Sequence, residues 1–531
     1  MSQIGKPPCE DGVILSGAAA TRCSAPSRRW TLVAAILGSS LAFIDGTVVN
    51  VALPAIQHEM SATTADAQWI VESYALFLAS LLLVGGVLGD RFGRKRVFMF
   101  GTGLFTLASI ACALSGTVGP LIAARAVQGA GAALLVPGSL ALISATFPPA
   151  ERGAAIGTWS AFSGITAAVG PVMGGFLVEH YSWIWAFLVN APIGAVLLAI
   201  CAAKVPESKG TNAGSIDVPG ASLVTIGLAG LVFAFIEAPT RGWAATPIWM
   251  AIVIGVLALL VFVRVEIRVA SPMLPLKLFR ERNFAGANLL TLLLYAALGG
   301  SLFFLPLNLI QVQGYGATLA GAALFPFIAI MFVLSRWAGG LVDRFGSKLP
   351  LMVGPVIAAV GFAMLALPSS ESRYWSAFFP AVCILGLGMS VTVAPLTTTV
   401  MNAVGKELAG TASGINNAVS RTAALLAIAL FGFVLTVAFN AALDRQLAQL
   451  HAPAKLVSDI DAQRQKLAGM VVPDDYPTAT LAAVKHAVNV SFVAGFRWVM
   501  VISAALALLS AVSAWIFIEG KQVKQSHRRL G

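Results

Sequence analysis

Six ionisable side chains stand inside long apolar runs of this chain: Asp45, Glu72, Arg125, Arg336, Arg421 and Arg497. Placing such a group in the middle of a membrane-spanning helix costs about 2.5–3.5 kcal/mol on insertion scales, so each needs a reason. Asp45 has Thr47 and Asn50 close by, and Glu72 is followed at helical spacing by Ala75, Ala79 and Gly86, a face small enough for another helix to approach. Carboxylates withdrawn from water can exchange protons near physiological pH, which is the chemistry a proton-coupled carrier needs. Structural alternatives stay open: Asp45 as an acid paired with a neighbouring helix, Glu72 as an interface carboxylate facing water. Arg125 shares a helix face with Gln128, Gly129 and Ala132. Its permanent charge would stabilise an ionised acid or hold a water relay, or else anchor backbone carbonyls. Arg421, in "SGINNAVSR" with Gly414 and Asn417 on its face, reads as a clamp between helices before it reads as a cavity wall. Arg336 and Arg497 lie near span ends, where long side chains reach the interface.

The elements that must position these groups follow from composition. The chain has 531 residues, 58% hydrophobic and 11% charged, where soluble domains carry about 25% charge. It is therefore expected to be an all-α integral membrane protein. Runs long enough to cross a bilayer lie near 30–54, 67–89, 97–116, 120–145, 153–178, 183–203, 218–237 and 246–264, then 284–311, 318–341, 350–367, 375–400, 409–438 and 492–518, about fourteen in all. The pair around 218–264 reads as an insertion between two halves. The expected organisation is a tail over 1–29, a six-helix half over 30–203, two additional helices with linkers over 204–283, a second six-helix half over 284–518, and a basic tail over 519–531.

Charge then orients the chain. With the N-terminus inside, about fifteen Lys and Arg fall in short inner loops, against Arg241 and Arg373 outside, and the tail residues Lys521, Lys524, Arg528 and Arg529 agree. Both termini are thus expected in the cytoplasm, and the net charge of +11 is topology, not nucleic-acid binding. Arg28 and Arg29 precede the run at Trp30, which reads as an uncleaved first span. Residues 439–490 are polar and hold Pro453, Pro473 and Pro477; an inert external linker is preferred to a partial lid or hairpin. The five cysteines show no C-x-x-C spacing, so neither a disulfide framework nor a zinc site is indicated. All five histidines fall in loops, span ends or tails, and neither H-E-x-x-H, G-x-S-x-G nor a phosphate loop occurs. An intramembrane enzyme and a nucleotide-driven pump are disfavoured, and no cofactor is expected.

An internal repeat adds mechanism. "GVLGDRFGRK" at 86–95 returns as "GLVDRFGSK" within 339–348, with Asp90 matching Asp343 at an offset of 253. A bundle built twice, with matching loops on one side, is the organisation of a rocking carrier rather than a channel. Topological charge explains the basic residues, but not Asp90, the glycines or the repetition. Gly89, Asp90, Arg91, Gly93 and Arg94, with Asp343 and Arg344, are therefore read as an inner gate closed by charge pairs. In the fifth span Gly157, Ala161, Gly164, Ala168, Pro171 and Gly175 follow 4-3-4-3-4 spacing, a stripe without bulk. Pro171 removes a backbone hydrogen bond and permits a bend.

Together these stretches resemble one family. The loop after the second span is similar to the signature loop of the major facilitator superfamily. "FIDGTVVNVALP" (43–54) resembles the first-helix motif of its fourteen-span drug:proton antiporter branch, the multidrug, antibiotic and antiseptic resistance exporters. "RAVQGAGAA" (125–133) and "GPVMGG" (170–175) resemble its fourth- and fifth-helix motifs. Thr166 replaces a glycine common in the fifth-helix pattern, and Ser347 stands where the first loop copy has Arg94.

The resemblance implies two pseudo-repeated six-helix halves plus two extra helices. It implies efflux of hydrophobic, often cationic drugs across the cytoplasmic membrane in exchange for protons, by a monomer, with an accessory export partner left open. Asp45 and Glu72 would be the coupling acids, with Glu72 tilting substrates toward cations. Arg125 would take part in proton transfer, and Gly170, Pro171, Gly174 and Gly175 would form the antiport packing motif. Asn50, Gln128, Asn417 and Arg421 are the cavity candidates. Export of a lipid, a metabolite or a single antibiotic is the alternative, since scaffold does not set substrate.

Overall fold

In hydrocarbon a chain must satisfy its own backbone N–H and C=O groups, so apolar runs of about 20 residues become helices. The computed structural model describes residues 25–209, 217–269, 272–404, 409–471 and 475–519. Cys9, Cys23, Lys406, Lys521, Lys524, Arg528 and Arg529 lie outside them, as do the side chains of Ala161, Gly164, Ala168, Arg336 and Asp343. The helices are α1 (Ala25–Glu59), α2 (Thr64–Phe92), α3 (Arg94–Ala113), α4 (Val118–Thr146), α5 (Pro149–His180), α6 (Ile184–Lys204), α7 (Val218–Arg241) and α8 (Thr246–Arg268). They continue as α9 (Arg282–Val312), α10 (built from Ala317–Ala322 and Phe325–Gly339), α11 (Lys348–Leu365), α12 (Tyr374–Asn402), α13 (Ala409–Gln449) and α14 (Thr478–Phe517). Thirteen candidate membrane spans occur among the described residues, and α5 brings the bundle to the expected fourteen.

The pairing of helices repeats. α1 packs on α5 and α6, α2 on α4, and α3 on α4 and α6. Eight helices later, α9 packs on α13 and α14, α10 on α12, and α11 on α12 and α14. A shift of eight rather than six leaves α7 and α8 outside both units. They form a hairpin of their own, turned at Gly242 (φ 81°), with Gly230 so close that a Cβ would lie 2.6 Å from the Ala251 carbonyl oxygen. Leu228, Val232 and Ile236 of α7 pack with Leu76 of α2 and with Leu425 and Ala429 of α13, so the hairpin covers one seam between the halves. α8 turns outward, with Leu260 and Ile267 more than half exposed.

The bundle has two unlike ends. The basic end carries the Asp90 loop. At the other, the polar residues 439–490 overturn the expectation of an inert linker. α13 and α14 are 41 and 40 residues long, about 60 Å at 1.5 Å per residue, or twice the hydrocarbon thickness. Both therefore project from the membrane, and between them a helix (Ala454–Asp461) and a 3-10 turn (Arg464–Gly469) fold into a cap. Leu456, Ile460 and Leu467 are buried there in a core continuous with that of the bundle. Arg464 joins Asp444 and Asp461, and the Tyr476 hydroxyl donates to Asp459 at 2.8 Å. In sequence these segments read as linker because each is short and polar on one side. The 3-10 turn touches α1 and α2 as well as α13 and α14, so the cap rests on both halves.

At this cap end the halves are pressed together. Gln68 of α2 donates to the Ile428 carbonyl of α13 at 2.9 Å, Gln311 of α9 to Gln57 of α1 at 3.0 Å, and the Thr318 backbone N–H of α10 to Glu179 of α5 at 2.9 Å. A Cβ on Gly321 would lie 2.1 Å from the Pro171 carbonyl oxygen, and one on Gly175 would lie 2.3 Å from that of Ala317. Described hydrogen bonds between the halves lie at this end.

Candidate functional site

Asp45 sits in the middle of α1, where no backbone donor is free, so its charge must be met by side chains from neighbouring helices. It is fully buried, and Arg125 of α4 is 1% exposed. Arg125 Nη1 donates to Asp45 Oδ2 at 2.6 Å and to Gln128 Oε1 at 2.7 Å, while its Nε donates to the Ile70 carbonyl at 3.0 Å. Gln128, one helical turn along α4, donates to the other carboxylate oxygen of Asp45 at 2.8 Å. Asn190 of α6 reaches that same oxygen at 3.3 Å and also donates to Ser109 Oγ of α3 at 3.0 Å. Ser109 in turn donates to the Phe187 carbonyl at 2.9 Å. The Arg125 guanidinium lies 4.2 Å from the centre of the Tyr74 ring of α2. One carboxylate thus joins side chains or carbonyls from α1, α2, α3, α4 and α6.

Close glycines make this approach possible. Gly129 of α4 lies against α2 so tightly that a Cβ would come 2.3 Å from the Tyr74 carbonyl oxygen, and Gly85 of α2 would place one 2.1 Å from that of Ala133. Gly129, which shares a helix face with Arg125, thus makes the α2–α4 contact that brings Arg125 to Asp45. Gln128, read in sequence as a cavity candidate, is fully buried in this network.

Glu72 is elsewhere. It is fully buried, which overturns the water-facing alternative, and neither carboxylate oxygen has a hydrogen-bond partner. One turn to either side on α2, Gln68 bonds α13 and Leu76 packs on α7 and α13. Glu72 therefore belongs to the seam that the α7–α8 hairpin covers, not to the Asp45 network.

The remaining candidates separate into three groups. The side chains of Asn50 and Asn417 donate to carbonyls of their own helices, Gly46 at 3.5 Å and Ser413 at 3.1 Å; Asn417 is exposed, whereas Asn50 Oδ1 is buried without a partner among the described residues. Arg421 is half-buried, and the Tyr74 hydroxyl has no hydrogen-bond partner among the described residues. Arg497 reaches the Leu367 and Pro368 carbonyls at the cap end. In the basic-end loop Arg94, at the start of α3, pairs with Asp90 of α2 at 2.8 Å across the break at Gly93, Arg91 is exposed against the Phe92 ring, and Arg344 is exposed. The Gly93 N–H donates to the Gly89 carbonyl at 3.0 Å, and Gly93 has φ 110°.

The helix-packing motif divides by face. Gly170 and Gly174 of α5 meet Thr47 and Val48 of α1, whereas Pro171 and Gly175 meet α10. Gly157, at the start of the stripe, has nothing within 4 Å of its would-be Cβ, so the tight packing is confined to the cap-end part among the described residues.

Sequence reasoning missed Ser109, Tyr74, Asn190 and Glu207. Asn190 carried the clearest signal, an amide inside an apolar run. Glu207 carried none. Its carboxylate accepts from the backbone N–H groups of Lys95 (3.0 Å) and Arg96 (3.2 Å), where α3 begins, and a Cβ on Gly93 would lie 2.8 Å from it. An acid at a helix N-terminus meets unpaired N–H groups and the positive end of the dipole. The chain after α6 is thereby tied to the Asp90 loop.

Comparisons with known proteins agree with this architecture. The description that matches residues 35–428 is Major Facilitator Superfamily. The chain is 34% identical over 499 residues to the multidrug resistance protein Stp of Mycobacterium tuberculosis (strain CDC 1551 / Oshkosh), covering 88% of this chain and 91% of that one. It is 32% identical over 508 residues to the tetracenomycin C resistance and export protein of Streptomyces glaucescens, covering 94% of each. Among solved structures, a bacterial homolog of the human lysosomal transporter Spinster, inward-facing and occupied, superposes with a TM-score of 0.65 at 17% identity, over 93% of this chain and 97% of that one. At that identity the likeness concerns the fold.

Proposed function

The chain belongs to the Major Facilitator Superfamily, among its drug- and antibiotic-resistance exporters, and from that premise we propose that it expels hydrophobic, often cationic compounds in exchange for protons. The Asp45–Arg125 pair carries this reading. A carboxylate held at 2.6 Å from a guanidinium, without exposure, is the coupling group. Protonating Asp45 removes the charge that Arg125 and Gln128 hold, and with it the tie between α1, α4 and α6. A helix bundle so tied has two arrangements to choose between, and one proton selects between them.

Glu72 supplies the second acid. In the present arrangement neither carboxylate is open to cargo, so cation binding and proton uptake at Glu72 belong to a state in which the α2–α13 seam has moved. A deprotonated Glu72 then attracts a cation and a protonated one releases it. The basic end faces the cytoplasm in this proposal, and the sealed cap end faces outward. Asn50, Asn417 and Arg421 line the path between the halves. The working unit is one chain in the cytoplasmic membrane, built of halves 30–203 and 284–518 that tilt about the site, with 204–283 as the inserted pair.

Purified protein in liposomes under an imposed pH gradient, offered a panel of dyes, antiseptics and antibiotics, tests this. Asp45→Asn and Glu72→Gln should abolish gradient-dependent flux while the protein remains folded and monodisperse. Flux equal to that of the parent in both variants overturns the coupling site.

A further inference from the structure

The two seams between the halves are finished differently. Along the α2–α13 seam the α7–α8 hairpin takes the place of lipid. Along the α5–α10 seam nothing of the described chain does so, and there lies a cavity of about 1020 Å³. Its α5 wall runs from Val169 to Phe176, four to eleven residues short of the helix end at His180. At 1.5 Å per residue that is roughly 6 to 16 Å below the end of the helix. Its α10 wall runs from Thr318 to Pro326. The hydrocarbon core is about 30 Å thick, so the cavity lies within one leaflet, the one at the cap end.

The rim at the interface is built. Tyr374 donates its hydroxyl to the Ala323 carbonyl at 2.9 Å and its backbone N–H to the Tyr315 hydroxyl at 3.0 Å, which fixes the segment entering α12 against α10. Trp375 beside it is 73% exposed, as aromatic side chains at headgroup level are. Arg373, at the same rim, lines the cavity, is exposed, and forms no ion pair among the described residues. A cation at headgroup depth above an apolar slot within one leaflet has the chemistry of a phospholipid turned inside out.

We propose that this cavity is a binding site for an anionic phospholipid of the cap-end leaflet, its acyl chains in the groove on the exposed side of the α5–α10 contact, against Val169, Phe176, Leu319 and Phe325, and its phosphate on Arg373. A net-anionic headgroup is favoured because it brings no ammonium of its own to compete for the phosphate. The lipid would cover the exposed side of the α5–α10 seam, as the α7–α8 hairpin covers the other.

The test uses the full chain reconstituted in vesicles of equal parts phosphatidylglycerol and phosphatidylcholine with identical chains, then extracted mildly and weighed by native mass spectrometry. One basic residue near a membrane surface contributes about fivefold in preference, so phosphatidylglycerol should be retained about fivefold over phosphatidylcholine. Arg373→Gln should erase that preference, Arg241→Gln at the same end should leave it, and Ala322→Trp should reduce retention of both lipids. A diazirine on the acyl chain should label the Val169–Phe176 and Thr318–Pro326 peptides. Equal retention of the two lipids by the parent, an unchanged preference in Arg373→Gln, or labelling confined to other helices overturns the proposal. None of these readouts depends on transport, so the site stands or falls separately from proton coupling.

Discussion

Asp45 and Arg125 are each tolerable only because of the other. Removing one partner of a buried ion pair leaves the other charge unmet and costs about 3–5 kcal/mol, while removing both together costs little. Arg125→Gln should therefore lower unfolding stability by about 3–5 kcal/mol, and adding Asp45→Asn should restore most of it. Thermal unfolding in detergent reads the stabilities, and neither protein should transport. If the single and double variants unfold alike, Arg125 does not neutralise Asp45. Both residues were legible as charges inside apolar runs, since a bilayer makes any such residue conspicuous. Their pairing was not, because it joins positions 80 apart through an α2–α4 contact that only coordinates reveal. Glu207 was invisible for the opposite reason: a carboxylate in a polar linker is ordinary, and only the N-terminus of α3 above it gives it a task.

At the level of elements, helices and their number were plain from hydropathy, because hydrocarbon permits few alternatives. The cap was not, since its segments bury only a few side chains each and carry ordinary loop composition. The glycine motif of α5 was legible as small residues but not as two faces, one for α1 and one for α10. That division places Gly321 and Pro171 at the heart of the cap-end seal. Gly321→Leu puts a branched side chain where even a Cβ would be 2.1 Å from a backbone carbonyl oxygen. Backbone cannot yield as a flexible side chain does, so the halves must part there. The variant should favour the arrangement open at the cap end. A cysteine placed at Gln57 should then react with a membrane-impermeant maleimide several-fold faster than in the parent background. An unchanged rate would mean that α5 and α10 do not hold the seal.

For the whole molecule, alternating access requires that the bonds now joining the halves break in every cycle. A proton moving inward releases about 2.3 kcal/mol per 100 mV of membrane potential, enough for a gradient of roughly fiftyfold in a neutral cargo, at 1.4 kcal/mol per tenfold. Exchange of one proton for one monovalent cation moves no net charge, so only the pH difference would drive it. Either way the energy is spent only if Gln57 and Gln311, now 3.0 Å apart in the seal, separate and meet again. Cysteines at both positions, in a chain whose native cysteines are replaced by serine, should be bridged by a short thiol-reactive cross-linker. Bridging should stop flux entirely, whereas labelling either cysteine alone should leave most of it. A cleavable linker should restore flux on reduction. Undiminished transport by the bridged protein would show that cargo crosses without this end opening, and the two halves would then have to work by some motion other than tilting.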